Sequence, residues 1–337
     1  MQFGKAFTDY FREQGSDVVF DLRDPDIDII LLTDPRRTSS SSTFTDADIA
    51  YYLMNINSRA IVVQRVNDSS HARKDDFRSR RLAFANHCAH QTVFVSHWLR
   101  DIYDGEGFSF IEPVVIHNGA NRSVFHPVGG RVWDGNEKLR VVTHHWSTNW
   151  QKGFDVYCEI DSLLGQQPHS ELFDFTFVGR MPSNVRFRNT RVVEPLAGAN
   201  LADELRSHHV YVSASVGEAA GNHYIEAAMC GLPVLYRRSG SLPEYCSEFG
   251  LAFDEGAISI GLLNIRDNYS KLKASMLAYP YDSTLYCSSY DKLFRELLIK
   301  RDTVLQRRRW TRLNGWIFRS CANAFDLLIK GYDRVRS

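Results

Sequence analysis

The 337-residue sequence lacks any apolar run of membrane-spanning length, so no bilayer helix is expected. It lacks an excess of either charge as well: 40 Lys and Arg balance 40 Asp and Glu, and no global field draws the chain onto nucleic acid. Cysteine is scarce, and Cys88, Cys158, Cys230, Cys246, Cys287 and Cys321 show no metal-like or redox-like spacing. They read as free thiols in a reducing compartment. The N-terminal MQFGKAFTDYF carries charges of both signs and lacks the apolar core of a signal peptide, so none is expected in it. These absences lead to the expectation of a cytoplasmic protein, at most attached to the inner face of a membrane.

What is present is the composition of an ordinary globular chain, 44% hydrophobic and 24% charged, at a length that favours two domains. Short apolar runs alternate with helical patterns. Strands are expected over residues 17–20, 28–32, 60–63, 92–95 and 113–116, with helices over 46–54, 77–89 and 97–103. A Gly-rich, charged segment, PVGGRVWDGNEK, then reads as a linker. Beyond it strands are expected over 139–143, 174–178, 210–212, 233–236 and 251–253, and helices over 153–164, 201–207, 222–230 and 258–276. From about residue 283 the pattern is helical only.

Strands alternating with helices predict parallel βαβ units, here in two blocks. The expected division is a first domain over 1–130, a second over 137–310, and a C-terminal helix over 311–337 that packs back on the first. The serine tract at residues 39–43 reads as a loop. The opening departs from this plan: Phe3, Phe7, Tyr10 and Phe11 recur at helical spacing where a doubly wound domain starts with a strand. The expectation is a shortened first domain without its opening strand, or a start that is incomplete.

The segment with the most chemistry is SASVGEAAGNHYIEAAMCGLPVLYRRSGSLPEY, residues 213–245. It reads as a strand end, a loop, a helix from about Asn222 and a second strand. Ligands of open α/β sheets bind at the carboxyl ends of the strands. Gly221 lets backbone approach a ligand, and free N–H groups at the helix start suit phosphate oxygens. Asn222 is placed to cap that helix, and Glu226 lies a turn further on the same face, where a carboxylate suits a ribose diol. Glu218 sits in the loop, near where a sugar beyond a diphosphate would lie.

Ser215, Glu218, Gly221, Glu226, Ala227, Gly231, Pro233 and Val234 together resemble the donor-binding signature of family-4 glycosyltransferases, and Gly240, Pro243 and Glu244 match the loop that follows. Ala214 stands where the family commonly has proline. The resemblance implies a GT-B fold, two doubly wound Rossmann-like domains facing across a cleft, with C-terminal helices. It implies a retaining, metal-independent enzyme that moves a hexosyl group from a UDP-sugar or GDP-sugar to the hydroxyl of a carbohydrate or lipid-linked acceptor, with no other cofactor. By the same resemblance Glu226 holds the ribose, and Glu218 contacts the transferred sugar.

Residues 141–157, VVTHHWSTNWQKGFDVY, resemble the family's phosphate-binding turn. Lys152 and Gly153 match, but the expected arginine falls on Ser147, so His145, Asn149 or another group must replace it. Lys152 supplies the charge that a nucleoside diphosphate leaving group needs. No Asp-x-Asp motif stands where a metal-dependent enzyme needs one. His144 and His145 are neighbours on a strand and point to opposite faces, which argues against a metal pair. Arg180, at the end of FVGR, is a candidate for base or phosphate contact, and VEPLAG at 193–198 for the base pocket. Arg65, Asn67 and Asp68 are acceptor-side candidates. Ser96 is read as a helix cap and Asn118-Gly119 as a structural turn. The Arg- and Trp-rich run at 304–320 is compatible with a membrane surface, although a helix returning to the first domain explains it better.

Rival readings are a GT-B epimerase, a phosphorylase, for which no pyridoxal-binding lysine is evident, and a nucleotide-sugar-binding scaffold without turnover.

Overall fold

The computed structural model describes residues 2–37, 43–69, 76–310 and 312–336; residues 39–42 of the serine tract lie outside them. The chain divides into two compact units, one formed by residues 1–117 with 286–337, the other by 118–285.

The first unit opens with helix α1 (Gln2–Glu13) and continues through β1 (Ile29–Leu32), α2 (Asp46–Asn55), β2 (Ile61–Val66), α3 (Asp76–Ala85), β3 (Gln91–Phe94), α4 (His97–Gly105) and β4 (Pro113–Val115). The sheet is parallel throughout, in the order β1-β2-β3-β4. β2 and β3 are buried along their whole length, as parallel strands covered on both faces must be. Thr45 starts α2 with a capping box: its hydroxyl accepts from Asp48 N–H at 3.3 Å while the Asp48 carboxylate accepts from Thr45 N–H at 3.0 Å. Ser96 caps α4 by accepting from Leu99 N–H at 3.1 Å, the role its sequence position suggests.

Residues 17–20 are not a strand. Val19 and Phe20 are exposed there, and the Asp21 and Asp24 carboxylates bend the following chain by accepting from the N–H groups of Arg23 and Asp26. Such side-chain-to-backbone bonds compete with strand pairing. The expected opening helix is present as α1.

The second unit runs β5 (Leu139–His145), α5 (Phe154–Leu163), α6 (His169–Leu172), β6 (Phe173–Gly179), β7 (Arg191–Val193), α7 (Gly198–Arg206), β8 (Val210–Ser213), α8 (Asn222–Met229), β9 (Val234–Arg237), α9 (Leu242–Cys246), β10 (Gly250–Phe253), α10 (Ile258–Asp267) and α11 (Tyr269–Ser275). Its parallel sheet has the order β10-β9-β8-β5-β6-β7. The chain therefore winds outward from β5 to β7, then returns to β5 and winds the other way through β8 to β10. The order reverses between β5 and β8, and this switch point opens a crevice at the strand ends. The short β7 gave no sequence signal. The single helix expected over 258–276 breaks at Asn268, whose Nδ2 donates to the Asn264 carbonyl at 2.9 Å and closes α10.

After β10 and its helices come α12 (Ser283–Ile299), α13 (Arg301–Leu305) and α14 (Arg312–Arg336). From Tyr286 onward they belong to the first unit, although the pattern placed residues up to 310 with the second domain. There the rings of α1 meet those of α12: Phe3 stacks on Tyr286 at 5.3 Å, and Phe7 meets Tyr290 edge-on at 5.3 Å. Arg81 of α3 is fully buried, forked onto Asp46 of α2 at 2.6 and 2.8 Å and bonded to Asp326 of α14 at 2.8 Å.

Candidate functional site

The switch point fixes where the second unit can hold a ligand. β5 carries His144 and His145 to the carboxyl edge of the sheet, and the following loop closes in a tight 3-10 turn, Trp150–Lys152. Asn149 builds this turn by accepting from Gln151 N–H at 3.0 Å, and Ser147 accepts from Asn149 N–H at 3.1 Å. Both residues are exposed, and these bonds hold the loop that presents Lys152.

Gly153 ends the turn at φ +97°, and a Cβ there would lie 2.4 Å from the Ala214 Cβ and 2.7 Å from its backbone. Only glycine accepts that backbone angle without strain and allows that approach. Gly153→Ala is expected to cost about 1–3 kcal/mol, read from the urea unfolding midpoint; an unchanged midpoint would show that the two loops do not need to touch.

The loop after β8 lies against this turn. Val216 N–H donates to the Gln151 carbonyl at 2.8 Å, and Ala214 N–H donates to the Tyr157 hydroxyl at 3.2 Å. Glu218 is held from behind by its carbonyl, which accepts from Ser241 N–H at 2.9 Å and from the Ser241 hydroxyl at 3.0 Å. The result is a short ion pair, Lys152 Nζ to Glu218 Oε2 at 2.5 Å, only partly covered from solvent.

A third group reaches the same oxygen: His223 Nε2 lies 3.8 Å from Glu218 Oε2. Burial works against ionised Glu218, but the nearby His223 ring and the Lys152 ammonium group outweigh it and hold the carboxyl well below its usual range. Burial pushes His223 down to about 4 against the pull of Glu218, with Lys152 and His144 repelling its proton further. Burial also drives His145 well below the ordinary imidazole value, with His223, Lys152 and His144 adding repulsion.

The residues named from sequence separate into groups. Glu218 and Lys152 meet, and Gly221 stands at the head of α8 beside them. The cap position of α8 is Gly221, not Asn222, which is the first helical residue and points to solvent. Glycine is needed there because a Cβ would come within 2.7 Å of His223 Nε2 and 2.9 Å of the Tyr224 ring. Glu226 is buried, and its Oε2 lies 3.1 Å from His144 Nε2, a bond an ionised carboxylate makes only as acceptor. Ser215 is buried too, its hydroxyl 3.4 Å from His223 Nε2. Arg180 is exposed at the end of β6, with its guanidinium 5.8 Å from the Trp146 ring centre. His144 turns to Glu226 of α8, whereas His145 bonds the Tyr157 hydroxyl of α5 at 2.8 Å.

The acceptor-side candidates lie in the first unit and do not form one group. Arg65 is on β2, buried with its guanidinium 4.2 Å above the Phe3 ring. Asn67 is exposed. Asp68 is held by Arg78 at 2.7 Å and faces Arg36 at 3.6 Å.

Sequence reasoning missed His223 and the tie between His144 and Glu226. The only available signal was the spacing of His223, which falls directly after the expected helix start. None of the six cysteines forms a disulfide. No helix among the described residues is long and apolar enough to cross a membrane.

Residues 139–262 match the family described as Glycosyl transferases group 1. No curated protein matches the sequence. Among solved structures, the chain is similar to sucrose-phosphate synthase from Thermosynechococcus elongatus, 16% identical over 88% of this chain and 78% of that one, with a TM-score of 0.58. It is similar to HepE of Anabaena in complex with UDP, 14% identical over 81% and 80% of the two chains, TM-score 0.63. The pneumococcal O-GlcNAc transferase GtfA, in complex with UDP and GlcNAc, is 12% identical over 80% of this chain and 57% of its own, TM-score 0.60. Residues 139–262 thus form a glycosyl transferases group 1 domain, within a chain of two parallel α/β units whose structural neighbours are GT-B glycosyltransferases.

Proposed function

We propose that this protein is a retaining, metal-independent glycosyltransferase that moves a hexosyl group from a nucleotide-diphosphate sugar to an acceptor hydroxyl. The observation that carries the reading is the Lys152–Glu218 pair at the switch point of the second sheet, beside the N-terminus of α8. An ammonium group and free helical N–H groups together suit a pyrophosphate. The complexes of similar folds with UDP and UDP-glucose support the same class of donor, a UDP-sugar or GDP-sugar.

In this reading Lys152 takes the diphosphate and offsets the charge that grows on the leaving group. The N–H groups at the start of α8 receive the phosphate oxygens, with Gly221, whose own N–H donates to the Tyr224 hydroxyl at 2.9 Å, allowing close approach and Asn222 at their edge. Glu218 faces the transferred sugar near its anomeric carbon. Glu226 and His144 line the ribose side. Ser147, Asn149 and Ser215 shape the loops around them, and Arg180 with Trp146 borders the base. The acceptor oxygen bonds to the anomeric carbon on the face from which the phosphate departs, the bond from that carbon to the phosphate oxygen breaks, and the departing phosphate takes the hydroxyl proton, so the configuration is kept. Acceptors are carbohydrate or lipid-linked, with Arg65, Asn67 and Asp68 on their side of the chain. The setting is cytoplasmic, with peripheral membrane contact for a lipid-linked acceptor.

A thermal-shift series with UDP, GDP and their sugars tests the donor. At a ligand concentration 100-fold above Kd, binding adds about 2.7 kcal/mol to stability. Glu226→Ala is expected to lower that gain by removing the ribose partner, and an undiminished shift in this variant would refute the ribose role. Nucleotide binding without hydrolysis or transfer, with or without acceptor sugars, would identify a binding scaffold instead.

A further inference from the structure

The clamp as it stands has a charge problem. Counting only ammonium and carboxylate groups, Lys152 contributes +1 and Glu218 and Glu226 contribute −1 each, a sum of −1. A nucleotide sugar adds a diphosphate of charge about −2. Ser147 occupies the place where an arginine would have helped, and Lys152 is already engaged at 2.5 Å by Glu218. One ammonium group cannot hold Glu218 and a diphosphate equally well. If Lys152 turns to the ligand, Glu218 is left half-buried without its cation.

The structure contains a replacement. His223 Nε2 is 3.8 Å from the same Oε2 that Lys152 holds. Its other nitrogen, Nδ1, lies 3.1 Å from the Tyr211 hydroxyl. That hydroxyl has a second acceptor within reach, the His144 carbonyl at 3.4 Å, and receives the His144 N–H at 3.2 Å. With His223 neutral, Tyr211 donates to Nδ1 while Nε2–H faces Glu218. With His223 protonated, Nδ1–H donates to Tyr211, whose hydrogen rotates to the His144 carbonyl. Nδ1 is therefore satisfied in both states without moving a ring, while Nε2, 3.4 Å from the Ser215 hydroxyl, closes on Glu218 from 3.8 Å once Lys152 leaves.

We propose that His223 takes up a proton when a nucleotide sugar binds, becomes the cationic partner of Glu218, and so frees Lys152 to hold the diphosphate. This rests on the donor reading given above. The proton comes from solvent and forms one N–H bond at Nδ1. The bond broken is the one that held the proton on hydronium or a buffer acid. The groups that face His223 are Glu218, Lys152 and Ser215 from the two loops, His144 and His145 from β5, Tyr211 from β8, and Tyr224 of α8. Before binding, burial, Lys152 and His144 oppose the proton. An arriving dianion reverses the balance by drawing Lys152 away and adding negative charge. His223 is a positioning residue, acting on the ligand through Lys152 and Glu218.

The sign of the pH effect follows. The free imidazole titrates at about 4 and the ligand raises that value, so binding takes up a proton between the two. Affinity then rises by up to about tenfold per unit as pH falls through that window, and levels off above the bound-state value.

The probes are UDP-glucose and GDP-mannose, which have no group titrating near neutrality. Calorimetry at pH 6 in two buffers of different ionisation enthalpy counts the protons taken up, and affinities from pH 5.5 to 8 give the slope. Uptake approaching one proton, lost with the slope in His223→Gln, is the expected result. Histidine labelled with 15N gives a check that needs no variant, because one imidazolium signal should grow as UDP-glucose is added to the unaltered protein. Heats that do not depend on buffer, uptake retained in His223→Gln, or no new imidazolium would overturn the proposal while leaving the donor reading intact. Absence of binding by either sugar nucleotide would instead remove the donor reading itself.

Discussion

Glu218→Gln is expected to lower the rate of sugar transfer by about 10²-fold or more, the scale seen when a preorganised charged or polar group is removed from a reacting centre. The exchange keeps the size and one hydrogen-bonding oxygen but deletes the charge that holds Lys152 at 2.5 Å and faces His223. The loop carrying residue 218 should stay in place, because Ser241 holds it through the backbone carbonyl and not through the side chain. The loss should therefore fall on kcat. Donor affinity should be unchanged or slightly better, since Lys152 no longer has to leave a carboxylate before it meets the diphosphate. Initial rates over a donor series separate the two parameters. A variant that transfers at the unaltered rate would place the chemistry elsewhere, and one that loses only donor affinity would make Glu218 a binding group.

The second large effect concerns stability and is independent of function. Arg81→Met is expected to destabilise the protein by about 3–5 kcal/mol. Arg81 is fully covered and bridges two carboxylates, Asp46 at the start of α2 and Asp326 on α14, and it also donates to the Pro35 carbonyl at 3.0 Å. Methionine fills much of the volume but leaves both acids buried without a cation. Burial already pushes the Asp46 carboxyl above its usual range, with Arg81 as the main opposing influence. Removing the acids as well, in Arg81→Met with Asp46→Asn and Asp326→Asn, should recover part of the loss. A shift of the unfolding midpoint worth less than about 1 kcal/mol would mean that this triad is not a structural linchpin. Recovery by the triple variant separates an electrostatic cause from a packing one.

The elements of the second unit were legible because each signal was local. Buried parallel strands are short apolar runs, and all five expected there begin or end within a residue or two of β5, β6, β8, β9 and β10. Gly153 and Gly221 stood out by composition, and the structure gives each a steric reason. The expected strand over 17–20 failed because Val and Phe side by side suggest a strand whether or not a partner strand exists. Nothing in the residues themselves reports that Val19 and Phe20 face solvent. The pairing of Lys152 with Glu218 could be anticipated only through a resemblance, since 66 positions separate them. His144 and Glu226 are 82 apart, and no pattern of period or spacing connects them. That Glu226 is buried instead of lining an open surface is likewise a property of how α8 rolls against β5. The acceptor-side residues were the least legible: Arg65, Asn67 and Asp68 are neighbours in sequence, yet strand alternation and ion pairing send them to three different surroundings.

The first unit is assembled from two separated stretches of chain, with the second unit complete between them. During synthesis residues 118–285 can therefore close their sheet while the aromatic partners of Phe3 and Phe7 on α12, and the Asp326 carboxylate for Arg81, have not yet been made. Domains in general fold as units in the order in which they emerge. Here the earlier of the two stretches must wait for the later one, with the face of α1 uncovered in the meantime.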